Sequence, residues 1–444
     1  MTTPGPGTER SELVRALGRW SLAALAINSV IGSGIFGLPG TVAGYLGERS
    51  TVAVLIAGAA MAVIVACFAE VASQFSETGG PYLYARTAFG RLMGILVGWT
   101  LYLAQTAAPA ANANLFVVYL AEFWPRVKQP WPRFLILTVL VWLLALVNAR
   151  GARQGAVVSN VFAIAKIVPL VLVIAAGAAL TLFHPMPWTA SQSFPAHSWM
   201  KAIFLLVFAY GGFESALAPM GEAKNPARDT GFALLVTLVS CTAIYALVQW
   251  VVVGVLGPGA TSDRPLAEVA RVTLGNSGAG LVAVGALISV YGYLSSKMLG
   301  MPRVTFALAE AGDLPGVFAA VSRRFHAPWF SILFFATAVW GLALAGSFAW
   351  NVTLSVLARL FYYGVVCAAL IALRRKGAPK EAAGSARLRP SDFRLPFGPL
   401  WAVVGVIICL ALTTQADLSK SIVLAVTVAA ALVNWIWARS GASA

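Results

Sequence analysis

Apolar runs on the scale needed to cross a bilayer, about 17–25 residues, number twelve in this chain. They cover 20–45, 51–76, 91–121, 133–149, 155–182, 199–221, 230–256, 279–302, 328–346, 350–373, 399–416 and 421–438. Hydrocarbon offers no water to the backbone, so such runs are confined to helices that satisfy their own N–H and C=O groups. Composition agrees: 59% of the 444 residues are hydrophobic and 11% are charged, against about 25% charged in a soluble domain. The expected fold class is an all-α polytopic membrane protein with twelve transmembrane helices. Residues 1–19 are polar and the first apolar run is long enough to span, which reads as a tail and not a cleaved leader.

The formal charge of +15 is a topology signal, because no soluble domain is present on which a nucleic-acid surface could form. With the N-terminus inside, twenty Lys and Arg residues fall on the cytoplasmic side and eight outside, while Lys166, Lys297 and Arg359 lie within helices. The opposite orientation inverts that ratio, so both termini are expected in the cytoplasm. Residues 374–398 then form a basic cytoplasmic linker touching anionic headgroups. Residues 307–326 are too polar to span and suit a short interfacial helix and turn.

Other chemistries find little to work with. Cys67, Cys241, Cys367 and Cys409 lie inside apolar runs without paired spacing and read as small core residues. His184, His197 and His326 are near or in loops, and there is no metal-ligand cluster, Gly-x-Ser-x-Gly or phosphate loop. No enzyme, metal or cofactor is expected. A channel would need a ring of charges or carbonyls from a repeated subunit.

Two runs are interrupted at mid-membrane. The first contains Ile31-Gly32-Ser33-Gly34-Ile35-Phe36-Gly37, whose glycines each weaken a helix by ~1 kcal/mol relative to alanine. The second contains Phe208-Ala209-Tyr210-Gly211-Gly212-Phe213-Glu214-Ser215, followed by Pro219. Each motif is either a small-residue packing seam or a place where backbone meets a ligand. The breaks open two five-helix halves, 20–182 and 199–373, and an odd helix count makes the second half inverted. Interrupted helices at corresponding positions point to a transporter's midplane site, with half-helix N–H groups facing an anion and unwound carbonyls facing a cation.

Here the motifs resemble the amino acid–polyamine–organocation (APC) superfamily. The run Gly32-Ser33-Gly34-Ile35-Phe36 is similar to its helix-1 signature. The family-like set continues with Phe68-Ala69-Glu70-Val71-Ala72-Ser73 leading to Gly79-Gly80-Pro81-Tyr82-Leu83-Tyr84. It then takes in the second break with Glu222 to Arg228, and Pro302-Arg303-Val304 with Glu310 to Pro315. The resemblance implies the LeuT/APC-type 5+5 inverted repeat with discontinuous helices 1 and 6, plus peripheral helices 11 and 12 over 399–438. It also implies an amino acid or amine substrate. Backbone at Ile31, Ser33, Gly34 and Ile35 would take the substrate carboxylate. Carbonyls near Ile27 and of Phe208, Ala209 and Gly211 would take the α-ammonium, with Phe208 as the closing aromatic.

Charges inside the membrane call for partners. Lys166 sits mid-run, where insertion costs ~2.5–3.5 kcal/mol. In sodium-independent relatives a lysine here occupies the place of a sodium ion. The resemblance thus implies bonds to carbonyls of the first break and to the hydroxyl of Ser295 or Ser296, as a proton carrier or a fixed charge; a purely structural tether is the alternative. Glu214 is either a protonated acid bonded to backbone or to Tyr84 or Tyr210, or a pH-sensitive gate or proton-coupling site. Glu70 suits an inner-gate ion pair with a loop arginine. Arg359 occupies the fifth helix of its half, as Lys166 does, and each cation is expected to abut the other half's broken helix. Lys297 can snorkel.

Helix 3 brings Ala104, Gln105, Ala108 and Pro109 to the level where relatives contact the side chain. These are small and nearly neutral, so a neutral amino acid is favoured, with basic amino acids, amines and polyamines open. Proton-coupled symport and exchange are both open. The expected partners are the substrate, the bilayer of a bacterial inner membrane and protons, with a homo-oligomer open.

Overall fold

A computed structural model describes residues 18–75, 80–150, 156–183, 193–216, 226–259, 261–310, 312–322, 327–376 and 393–440. Gly79, Glu222 to Asn225 and most of the basic linker lie outside them. The described chain is all-helical. Within it, eight helical stretches are long and apolar enough to cross a membrane, and three shorter apolar helices, Ala196–Tyr210, Trp329–Ala345 and Gly398–Thr413, accompany them.

The first apolar run is three helices in succession: α1 (Arg19–Val30), α2 (Gly34–Gly37) and α3 (Pro39–Leu46). Helix α1 closes with the Ile31 N–H on the Ile27 carbonyl, and Ile31 then turns to extended backbone, ψ 95°. Gly32 and Ser33 carry the chain across, and Pro39 starts α3 at a position where its missing N–H is not needed. Helices α4 (Ser50–Ser73), α5 (Gly80–Phe89), α6 (Arg91–Leu120), α7 (Pro130–Ala149) and α8 (Ala156–Phe183) follow.

The second interruption repeats the theme. Helix α9 (Ala196–Tyr210) ends at Gly211, which is extended, and Gly212 has φ 115°, a conformation that favours glycine. Helix α10 (Phe213–Ala216) resumes one residue later. Then come α11 (Pro226–Leu256), α12 (Pro265–Glu310), α13 (Trp329–Ala345), α14 (Phe348–Lys376), α15 (Gly398–Thr413) and α16 (Leu418–Ser440).

Helix α12 departs from expectation at both ends. It begins at Pro265, kinks at Gly275 (φ 74°) and runs through Pro302 to Glu310. Proline deletes one donor, and within a bundle the freed carbonyl finds another partner. The interfacial helix expected over 307–326 is therefore the end of α12, and only Gly316–Ala319 forms a separate 3₁₀ turn.

Helix α14 packs along α6 and α15, α11 along α4 and α1, and α8 along α12. Helices α6 and α14 are largely buried and α16 is largely exposed. The centre thus holds the two broken runs flanked by α6, α12 and α14.

Candidate functional site

The two breaks touch. Ser29 at the end of α1 donates its hydroxyl to the Gly212 carbonyl at 2.9 Å. The Tyr245 hydroxyl on α11 lies 3.1 Å from the Val30 carbonyl and 2.9 Å from that of Ala209, and its one proton serves either. A Cβ on Gly34 would lie 2.7 Å from the Ala209 Cα, so α2 and α9 meet backbone to backbone. At Gly34 the close packing of the seam reading is observed. The residues expected to hold the substrate are thereby gathered: Ile31, Ser33, Gly34, Ile35, Phe208, Ala209 and Gly211 are buried at this crossing, and Ile27 is half-buried. The Ile27 and Phe208 carbonyls already accept the N–H groups of Ile31 and Gly211, which leaves each one further lone pair. The Ser33 hydroxyl is buried without a hydrogen-bond partner among the described residues.

Glu214 forms the most heavily bonded group beside the break. Its Oε1 accepts from Arg359 Nη1 at 2.6 Å, from the Tyr362 hydroxyl at 3.0 Å and from Gln105 Nε2 at 3.3 Å. Its Oε2 accepts from the Gly212 N–H at 2.9 Å and from the Tyr363 hydroxyl at 3.3 Å. Phe68 meets Phe213 and Tyr363 edge-to-face, and Phe213 and Tyr363 are tilted by 38°, with the three centroids 5.1–5.4 Å apart. The expected partners Tyr84 and Tyr210 are replaced: the Tyr210 hydroxyl is turned away to the Val54 carbonyl at 2.9 Å. The guanidinium of Arg359 lies where a Gly211 side chain would stand, and its Nε bonds Ser355 Oγ at 3.3 Å. A buried carboxylate with five donors, the guanidinium among them, is satisfied as an anion.

Lys166 reaches α1. Its ammonium donates to the Asn28 carbonyl at 3.0 Å and lies 3.3 Å from Asn28 Oδ1, three residues before the break proper. Ser295 is buried and Ser296 exposed. A helix cannot turn adjacent side chains to the same face, which separates the two serines as candidate partners. Each cation meets the broken helix of its own expected half, Lys166 on α1 and Arg359 beside α10. The expectation of the opposite half is corrected, because Lys166 bonds Asn28 of α1 and Arg359 bonds Glu214 of α10. Lys297 Nζ stands 5.5 Å over the Tyr293 ring.

Further contacts lie on either side of the crossing. Toward the linker, Glu70 takes a bidentate bond from Arg374 at 2.6 and 2.7 Å and the Leu395 N–H at 2.9 Å. The arginine belongs to the last turn of α14 and not to a loop. Nearby, Asp313 accepts from Arg86 at 2.6 Å, Arg91 at 2.8 Å and Tyr82, and Asn434 of α16 holds its carbonyl at 2.7 Å. At the opposite end Phe208 meets Phe348 edge-to-face at 6.4 Å, and the Phe348 ring leaves no room for a side chain on Gly37.

Sequence reasoning missed Tyr245, Phe348, Tyr362, Tyr363 and the Asp313 cluster. Tyr362 and Tyr363 carried a readable signal, standing three and four residues after a mid-run arginine and hence on its helical face. Tyr245 and Phe348 carried none.

The chain matches the family model described as "Amino acid permease" over residues 17–442. It is 28% identical over 426 residues to the methylthioribose transporter of Bacillus subtilis, covering 91% of this chain and 88% of that protein. Similar matches are to two further Bacillus subtilis proteins. One is a branched-chain amino acid permease (28% identical, 90% and 87% covered) and the other a serine/threonine exchanger (27% identical, 92% and 93% covered).

Proposed function

The chain belongs to the amino acid permease family, whose members are transporters and not enzymes, and on that premise we propose that it carries neutral amino acids by sodium-independent alternating access. The reading takes the twelve apolar runs as spans, with 20–182 and 199–373 as inverted five-helix halves, 399–438 as peripheral helices and both termini in the cytoplasm of a bacterial cell. The substrate's carboxylate would sit on the amides of Ser33, Gly34 and Ile35 at the start of α2, its ammonium on carbonyls of α1 and α9, and Phe208 would close over it.

The observation that carries this reading is the meeting of the two breaks between two buried cations, each already bonded. Lys166 donates to Asn28 at 3.0 Å, where a sodium ion would otherwise gather carbonyls. Arg359 neutralises Glu214 at 2.6 Å, which removes the one nearby acid that could bind a basic side chain. Relatives in the family include an exchanger, and both exchange and proton symport suit this geometry.

Purified protein in sodium-free proteoliposomes separates the modes. Exchange appears as uptake of labelled neutral amino acid that requires internal amino acid at both pH 5.5 and pH 7.5. Symport appears as uptake into empty vesicles that is driven by an inward proton gradient. Uptake of no amino acid under either condition would sink the reading.

A further inference from the structure

We propose that Gln105 sets side-chain specificity by offering its amide oxygen as a hydrogen-bond acceptor, so that the preferred substrate is a neutral amino acid whose short side chain carries a donor, a hydroxyl or an amide. The inference rests on the amino acid transport reading and narrows it to a class.

Gln105 is buried on α6 and its Nε2 donates to Glu214 Oε1 at 3.3 Å. The amide has one usable orientation. Glu214 is held as an acceptor by Arg359 at 2.6 Å, Tyr362 at 3.0 Å and the Gly212 N–H at 2.9 Å. Turning the amide over would set its carbonyl oxygen against a carboxylate. With Nε2 committed, Oε1 is buried without a partner among the described residues. Buried acceptors in native proteins are almost always satisfied, and a ligand O–H or N–H would supply the missing donor.

The surroundings select against other side chains. Ala104, Ala107 and Ala108 are buried neighbours on α6, and the Ala104 carbonyl already accepts the Ser355 hydroxyl at 3.0 Å. Glu214 faces Arg359, and Lys297 also lies within electrostatic reach of Glu214. A basic side chain would meet more positive than negative charge here. An aliphatic side chain would leave Oε1 unpaired, and a site built to bond a hydroxyl rejects the analogue lacking it more sharply than an apolar pocket rejects the hydroxyl.

The test is inhibition of labelled threonine uptake in proteoliposomes by isosteric pairs, threonine against valine and serine against alanine. Threonine is expected to inhibit at least about tenfold more tightly than valine, serine more tightly than alanine, and lysine not to compete. Gln105→Met is expected to bring the threonine-to-valine ratio within about twofold. Valine equal to threonine on the wild-type protein, or lysine ahead of both, overturns the proposal while leaving amino acid transport standing. A tenfold ratio retained in Gln105→Met overturns the assignment to Gln105. Should that variant fail to reach the membrane, the wild-type ratio decides alone. Competition by methylthioribose and by no amino acid would instead overturn the transport reading beneath it.

Discussion

Glu214 and Arg359 face each other at 2.6 Å beside the second helix break, with side chains 2% and 3% exposed. Taking two charges out of water is costly, and close pairing with further hydrogen bonds offsets that cost. The pair joins α10 to α14 and sets Gln105 and Gly212 in place through the same carboxylate. It locks the second break to α14.

Removing one member strands the other. Arg359→Ala is expected to destabilise the protein by about 3–5 kcal/mol and to abolish uptake, so both thermal unfolding in detergent and transport should fall. The double variant Glu214→Gln/Arg359→Met should recover a large part of that stability. A double variant as unstable as the sum of the single ones would show that the two residues are uncoupled.

Gly212 has φ 115°, and a Cβ there would lie 2.5 Å from the Ser29 carbonyl oxygen. Gly212→Ala should therefore lose at least about 2 kcal/mol from combined strain and clash. Gly341→Ala on α13, with open space around it, should be neutral or stabilising by up to about 1 kcal/mol. Equal unfolding temperatures for the two variants would contradict the conformation assigned to the break.

The contact of Lys166 with Asn28 is mainly to backbone. Lys166→Met should cost more than tenfold in uptake, because a buried carbonyl loses a charged donor. Asn28→Ala should cost less, since the carbonyl at 3.0 Å remains and only the contact to Oδ1 at 3.3 Å is lost. Initial-rate measurements on the two variants check the order, and the reverse order would place the function in the Asn28 side chain.

Glu70 and Arg374 close the linker side above a buried thiol, Cys67, one turn before Glu70 on α4. Arg374→Ala should open this contact and raise maleimide labelling several-fold over the wild-type protein, whose four cysteines are all buried. Unchanged labelling would mean that the pair does not hold this side shut.

Much of the candidate site is legible in the sequence. The glycines at 32, 34, 211 and 212 announced interruptions because lipid makes a broken helix expensive, and Lys166, Glu214 and Arg359 stood out as charges in apolar runs. What stayed hidden was pairing. Glu214 and Arg359 are 145 residues apart in the chain, and no local pattern says which helix faces which. The same gap assigned Glu214 to Tyr84 or Tyr210 and set Ser296 level with Ser295.

On the proposed function, the Lys166 ammonium stands where a coupled sodium ion would otherwise be needed. Initial uptake of a labelled neutral amino acid should be measured in proteoliposomes with an inward sodium gradient and with choline at equal ionic strength. The two rates are expected to agree within about twofold. Uptake that sodium stimulates tenfold or more would contradict that reading.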